Sequence, residues 1–88
     1  MLVDTQSQEI LQSFGRTMRR VRRGRGLSQE ALALDAGVQR NFVSLIERGV
    51  NQPSLLTLVK LCRALEMPVS KLISAWEEEV QGQPQQAE

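Results

Sequence analysis

The strongest constraint on this chain's fold lies in residues 27–49, LSQEALALDAGVQRNFVSLIERG, which read as two short helices joined at one glycine. Ser28 is a natural N-cap, and Leu27 and Leu32 are spaced as a hydrophobic staple at the start of the first helix. Ala33 is small enough to let a second helix approach closely. Gly37 can take the left-handed conformation that ends a helix at no steric cost. Val38, Val43 and Ile46 supply the apolar face of the second helix, which stops at Gly49.

Two helices joined this tightly form a helix-turn-helix, whose second helix turns its outward face to the DNA major groove. That face carries Gln39, Arg40, Asn41 and Ser44, all able to hydrogen-bond base edges or phosphates. The arginine is the first choice for base reading, because a guanidinium donates two hydrogen bonds to guanine O6 and N7. The plainer role for Arg40 is to hold a phosphate, which positions the protein without reading sequence. Asn41 can pair with adenine or serve its own helix backbone. Ser44 lies one turn beyond Arg40, and Gln39 is either a DNA contact or a polar cap.

Segment 27–49, with the basic helix before it and NQPSLLTLVKLCRALEMPVSKLI after it, resembles the Cro/C1-type (XRE-like) helix-turn-helix family. The resemblance runs in one register from Ile10 to Ile73, through Ala33, Gly37, Val43 and Ile46 and the phrases LSQEALA and SLIERG. It implies an all-α fold, a compact five-helix bundle of the lambda-repressor-like kind, that binds operator DNA as a symmetric dimer. It places Gln39 at the DNA surface and Gln29 against a phosphate, or bracing a polar side chain of the recognition helix. It makes Arg22 and Glu47 a structural ion pair between helices one and three, and gives Phe42 a mainly packing role. One departure falls between helices four and five. The family often has a glycine and a capping Ser or Asp there, and this chain has Glu66, Met67 and Pro68.

A chain of 88 residues makes one domain, near the lower limit for a core without metal or disulfide support. A single cysteine and no histidine exclude a disulfide framework or a His/Cys zinc site within one chain, so no metal or cofactor is expected. The composition suits a reducing cytoplasm. No apolar run reaches transmembrane length, and the first residues lack a signal-peptide pattern. With two Phe and one Trp, the chain does not suit base stacking on single strands. Net charge is only +1, but Arg16, Arg19, Arg20, Arg22, Arg23 and Arg25 crowd one stretch while Glu77, Glu78 and Glu79 cluster near the other end. A basic cluster beside a recognition helix attracts phosphates, with Arg19 and Arg23 as contacts and Arg48 and Asn51 on the far side. A solvated basic helix without a partner is the plainer reading.

Three parts are expected: a flexible or helix-extending segment at 1–7, the helix-turn-helix domain at 8–80, and a disordered tail at 81–88. Helix one is expected from about Gln8 to Arg23, with Ile10 or Leu11, Phe14, Met18 and Val21 on its core face and Gly24 and Gly26 ending it. Ser54 caps helix four, at about 55–65. Its apolar residues Leu55, Leu58, Val59, Leu61, Cys62 and Leu65 surround much of the cylinder and predict a largely buried helix. Cys62 reads as an inert core residue. Pro68 opens helix five, where Val69, Leu72, Ile73, Trp76 and Val80 keep helical spacing. No segment alternates with a period of two, so no strand is expected.

One such module reads few base pairs, so a homodimer on half-sites roughly 34 Å apart is expected. Ile73, Trp76 and Val80 are the expected dimer interface, the alternative being that they pack on helix one around Ile10, Leu11 and Phe14. The expected function is sequence-specific transcription regulation on a double-stranded operator, with RNA polymerase as a further partner if it activates. Two other readings are an antitoxin binding both operator and toxin, and a protein-interaction adaptor that kept the fold. An enzyme is not expected: histidine, a paired acidic dyad in an evident pocket and a phosphate-binding glycine loop are all missing.

Overall fold

The computed structural model of the chain describes residues 5–82, which fold into five helices: α1 (Thr5–Gly24), α2 (Gln29–Ala36), α3 (Arg40–Glu47), α4 (Leu55–Ala64) and α5 (Val69–Gly82). The all-α, five-helix expectation is met. The first four residues and residues 83–88 lie outside the described part, and the expectations of a mobile start and a disordered tail fall largely on them. Thr5, Gln6 and Ser7 are the first turn of α1, so the helix begins one turn earlier than its apolar periodicity predicts. That turn is wholly exposed, and burial cannot signal it.

Local chemistry starts and stops the elements. The Ser28 hydroxyl accepts from the Ala31 amide at 2.9 Å and the Ser54 hydroxyl from the Thr57 amide at 3.1 Å, capping α2 and α4. Each of the first four helices then closes on a residue with positive φ: Gly26, Gly37, Gly49 and Glu66. In each case the following amide bonds back to the last turn, as Val38 does to the Ala33 carbonyl at 3.0 Å and Met67 to the Cys62 carbonyl at 3.0 Å. Glu66 holds φ at 58° without the freedom of a glycine.

Phe14, Met18, Leu32, Ala33, Ala36, Val43, Ile46, Leu61, Cys62, Leu65 and Leu72 form one buried cluster drawn from all five helices. On α1 the core face is formed by Phe14, Met18 and Val21; of the two leading candidates before them, Leu11 is half-buried and Ile10 is 46% exposed. The expectation that α4 is largely buried is not met. Leu55 is 76% and Leu56 65% exposed, while burial is confined to Leu61, Cys62 and Leu65. The reason is that α4 packs mainly against α2 and α5, along the stripe of Leu58, Leu61, Cys62 and Leu65. Its first turn lies outside both packings. Apolar residues all round a helix do not create a second surface to bury them.

Helix α1 meets α3 at Gly15, which is buried. A Cβ built there would fall 2.5 Å from both the Ile46 and Glu47 carbonyl oxygens, so the two backbones touch with no side chain between them. That approach places the end of α3 directly against α1.

Candidate nucleic-acid interface

Helix α3 is fixed at one end and free at the other. Its last residue, Glu47, is buried, and its carboxylate takes a two-pronged contact from Arg22 of α1. Arg22 Nε donates to Glu47 Oε2 at 2.6 Å and Nη2 to Oε1 at 3.0 Å, while Nη1 donates to the Leu27 carbonyl at 2.7 Å. Both side chains are almost wholly out of water, so each charge depends on the other. Gln29, the first residue of α2, donates its amide N–H to Glu47 Oε1 at 3.0 Å. The carboxylate therefore joins α1, α2 and α3. Of the two roles implied for Gln29, the structure displays the brace, with Glu47 as the side chain held.

The opposite end of α3 points at solvent. Gln39 is its N-cap by backbone geometry (φ −81°, ψ 143°) yet makes no side-chain cap bond, so its amide is not spent on the helix. Gln39, Arg40 and Asn41 are exposed and Ser44 is half-buried one turn on. Opposite them Val43 and Ile46 are buried, and half-buried Phe42 packs against the core cluster. The four polar side chains form no hydrogen bond or ion pair within the described residues. Arg48 is exposed just past the helix, and Asn51 is half-buried in the turn that follows.

The basic cluster of α1 divides into residues with different duties. Arg22 is the buried ion-pair partner. Arg16 and Arg20 meet Glu79 of α5 at 3.9 and 3.2 Å, and Glu79 also accepts from the Thr17 hydroxyl at 2.9 Å. The Arg25 guanidinium reaches the Glu66 carbonyl at 3.4 Å. Arg19 and Arg23 are exposed and unpaired among the described residues, which leaves them available to phosphates. Sequence reading missed this sorting, and it missed Thr17, Ser13 and Gly15 altogether. A serine, a threonine and a glycine inside an amphipathic helix carry no signal of the partners they meet far along the chain.

The expected dimer residues are placed differently from one another. Trp76 turns inward: its Nε1 donates to Ser13 Oγ at 2.9 Å, and its ring meets Phe14 edge-on with centroids 5.8 Å apart at 85°. That is the packing on helix one offered as the alternative. Ile73 is half-buried against the core, and Val80 stays 40% exposed.

Burial pushes the Cys62 thiol up from its ordinary pKa, in keeping with an inert core residue. Among the described residues no group of His, Cys, Asp or Glu is arranged to hold a metal. No described helix is long and apolar enough to cross a membrane.

Two short helices, a left-handed glycine between them and an outward polar face on the second define a helix-turn-helix module. A family profile described as helix-turn-helix matches residues 18–72, more than half of the chain. The chain belongs to the helix-turn-helix family of the Cro/C1 type. It is 39% identical over 63 residues to the HTH-type transcriptional regulator SlrR of Bacillus subtilis, a match covering 70% of this chain and 41% of that protein. It is 33% identical over 66 residues to the control protein C.SmaI of Serratia marcescens, covering 75% and 79% of the two chains. Among solved structures it is similar to the restriction-modification controller protein C.AhdI of Aeromonas hydrophila, at 40% identity and a TM-score of 0.69. That alignment covers 70% of this chain and 94% of the other.

Proposed function

We propose that this chain is a sequence-specific regulator of transcription that binds double-stranded DNA with α3 in the major groove. The observation that carries the reading is the asymmetry of α3. Gln39, Arg40, Asn41 and Ser44 are free of internal partners at one end, while Glu47 is locked into the fold at the other. Arg40 reads a guanine by two parallel hydrogen bonds, with Gln39, Asn41 and Ser44 beside it. Arg19, Arg23, Arg48 and Asn51 hold phosphates, and the free amides at the α2 N-terminus add a further phosphate contact.

The chain acts as a homodimer on a palindromic operator in the bacterial cytoplasm, since one module of this size discriminates too few base pairs alone. With Trp76 engaged by Ser13 and Phe14, the α5 contribution to the dimer falls to Val80 and the accessible edge of Ile73. Val80→Lys is expected to shift the sedimenting species to monomer. An unchanged dimer, with Leu56→Lys breaking it instead, would move the interface to the first turn of α4. Occluding a promoter represses; binding upstream of one brings the protein to RNA polymerase.

The deciding experiment selects bound duplexes from a random DNA pool at near-physiological salt. The expected result is a palindromic motif with half-sites about one turn apart. A folded chain that enriches no motif would overturn the reading in favour of a protein-binding adaptor.

A further inference from the structure

We propose that Glu79 sets specificity by restraint: it withholds Arg16 and Arg20 from DNA phosphates and so keeps affinity for random sequence low. This role rests on the DNA-binding reading above. Arg16, Arg19, Arg20 and Arg23 recur at three- and four-residue spacing, so they form one continuous basic stripe along α1. The fold divides that stripe lengthwise. Arg16 and Arg20 lie on the edge shared with Ser13 and Thr17, both of which bond to α5. Arg19 lies on the edge shared with Gly15 and Arg22, both of which meet α3, and Arg23 follows it one turn on. The cations beside the recognition helix are thus free, and those on the α5 side are paired.

A single carboxylate makes both pairings. Arg20 donates to Glu79 Oε1 from Nε at 3.3 Å and from Nη2 at 3.2 Å, and Arg16 Nε stands 3.9 Å from Oε2. Both arginine side chains are more than half exposed, whereas that of Glu79 is 19% exposed. The carboxylate is the fixed member, held by the hydroxyl of Thr17, which is wholly buried. Exposed ion pairs are weak, so the restraint amounts to roughly threefold to tenfold in affinity. It acts unequally on different duplexes. Base contacts by Arg40 hold the selected complex in one pose, with α3 and the neighbouring edge of α1 toward the DNA. Random sequence offers no such lock, and binding there averages over poses, including those that bring the α5 edge of α1 to phosphates. Extra cations on that edge therefore strengthen random binding more than selected binding.

Glu79→Gln removes the charge and keeps an oxygen for Thr17. Glu78→Gln changes the net charge equally but releases no arginine, because Glu78 holds none among the described residues. On random duplex at near-physiological salt, Glu79→Gln is expected to bind roughly threefold to tenfold more tightly than Glu78→Gln. Its salt slope is expected to steepen by about 0.9 for each arginine released. Affinity for the selected duplex is expected to rise less, so that discrimination falls. Arg16→Gln/Arg20→Gln, with Glu79 in place, is expected to leave the salt slope unchanged. Equal binding by the two glutamate variants would overturn the proposal, and so would equal gains on random and selected duplex. A slope that drops by about 0.9 per residue in the arginine variant would show that both arginines already hold phosphates, and would overturn it too. A wild-type chain that selects no duplex sinks the DNA-reading assignment and this role with it. Later elution from heparin for Glu79→Gln than for Glu78→Gln would then place the fault in that assignment and not in the masking.

Discussion

The indole N–H of Trp76 donates to the hydroxyl of Ser13 at 2.9 Å, and that hydroxyl in turn donates to the Ile10 carbonyl at 2.8 Å. A residue suited to anchoring a partner is therefore anchored to its own first helix. Phe14 closes the arrangement with its ring edge-on to the indole. The tryptophan joins the last helix to the first across 63 positions of chain.

Trp76→Ala is expected to destabilise the fold by about 3 kcal/mol, through lost ring packing and a vacated site beside Phe14. Trp76→Phe keeps most of the ring and loses the hydrogen bond, at a cost of about 1 kcal/mol. Urea unfolding of the two variants checks the order. Equal midpoints for wild type and Trp76→Ala would mean that α5 is not held by this contact.

The Arg22–Glu47 pair predicts a larger loss. Arg22→Ala leaves a buried carboxylate with Gln29 as its remaining donor, and removing one partner of a buried pair costs about 3–5 kcal/mol. In a domain of this size that is a large fraction of the whole stability. Thermal unfolding followed by circular dichroism reads it directly; a melting temperature within a few degrees of wild type would contradict the assigned burial.

Glu66 holds a left-handed conformation that the three other helix ends give to glycine. Glu66→Gly is expected to raise stability by about 1 kcal/mol, since it relieves the Cβ clash and keeps the backbone carbonyl that Arg25 contacts. A chemical-denaturation midpoint lower than wild type would refute the strain.

On DNA, Arg40→Ala is expected to cost about 1–3 kcal/mol on the selected duplex and to relax preference at one base pair. Arg19→Ala and Arg23→Ala should weaken selected and random duplexes alike and lower the salt slope by about 0.9 each. Titrations at several salt concentrations separate the two behaviours. Uniform weakening by Arg40→Ala would demote it to a phosphate contact.

The helix-turn-helix was legible because its determinants are local: a cap at Ser28, a left-handed turn at Gly37, and a period that sets Val43 and Ile46 against Arg40 and Ser44. The pairings that seat α1 and α5 were not legible. Nothing in the run Glu77, Glu78, Glu79 marks the third as the partner of Thr17, Arg16 and Arg20, because that choice depends on where α5 comes to rest. Helix α4 misled for a related reason. Leu55 and Leu56 have the same apolar character as Leu61 and Leu65, and only the extent of the neighbouring helices decides which of them is covered.

At Gly15 the backbones of α1 and α3 touch without an intervening side chain, and the polar side chains of Gln39, Arg40, Asn41 and Ser44 on α3 make no hydrogen bond or ion pair among the described residues. Scaffold and lettering are thus written on opposite sides of one short helix. On the proposed reading, exchanging Gln39, Arg40, Asn41 or Ser44, none of which makes a side-chain hydrogen bond or ion pair among the described residues, is expected to change the operator that is read while leaving the architecture in place.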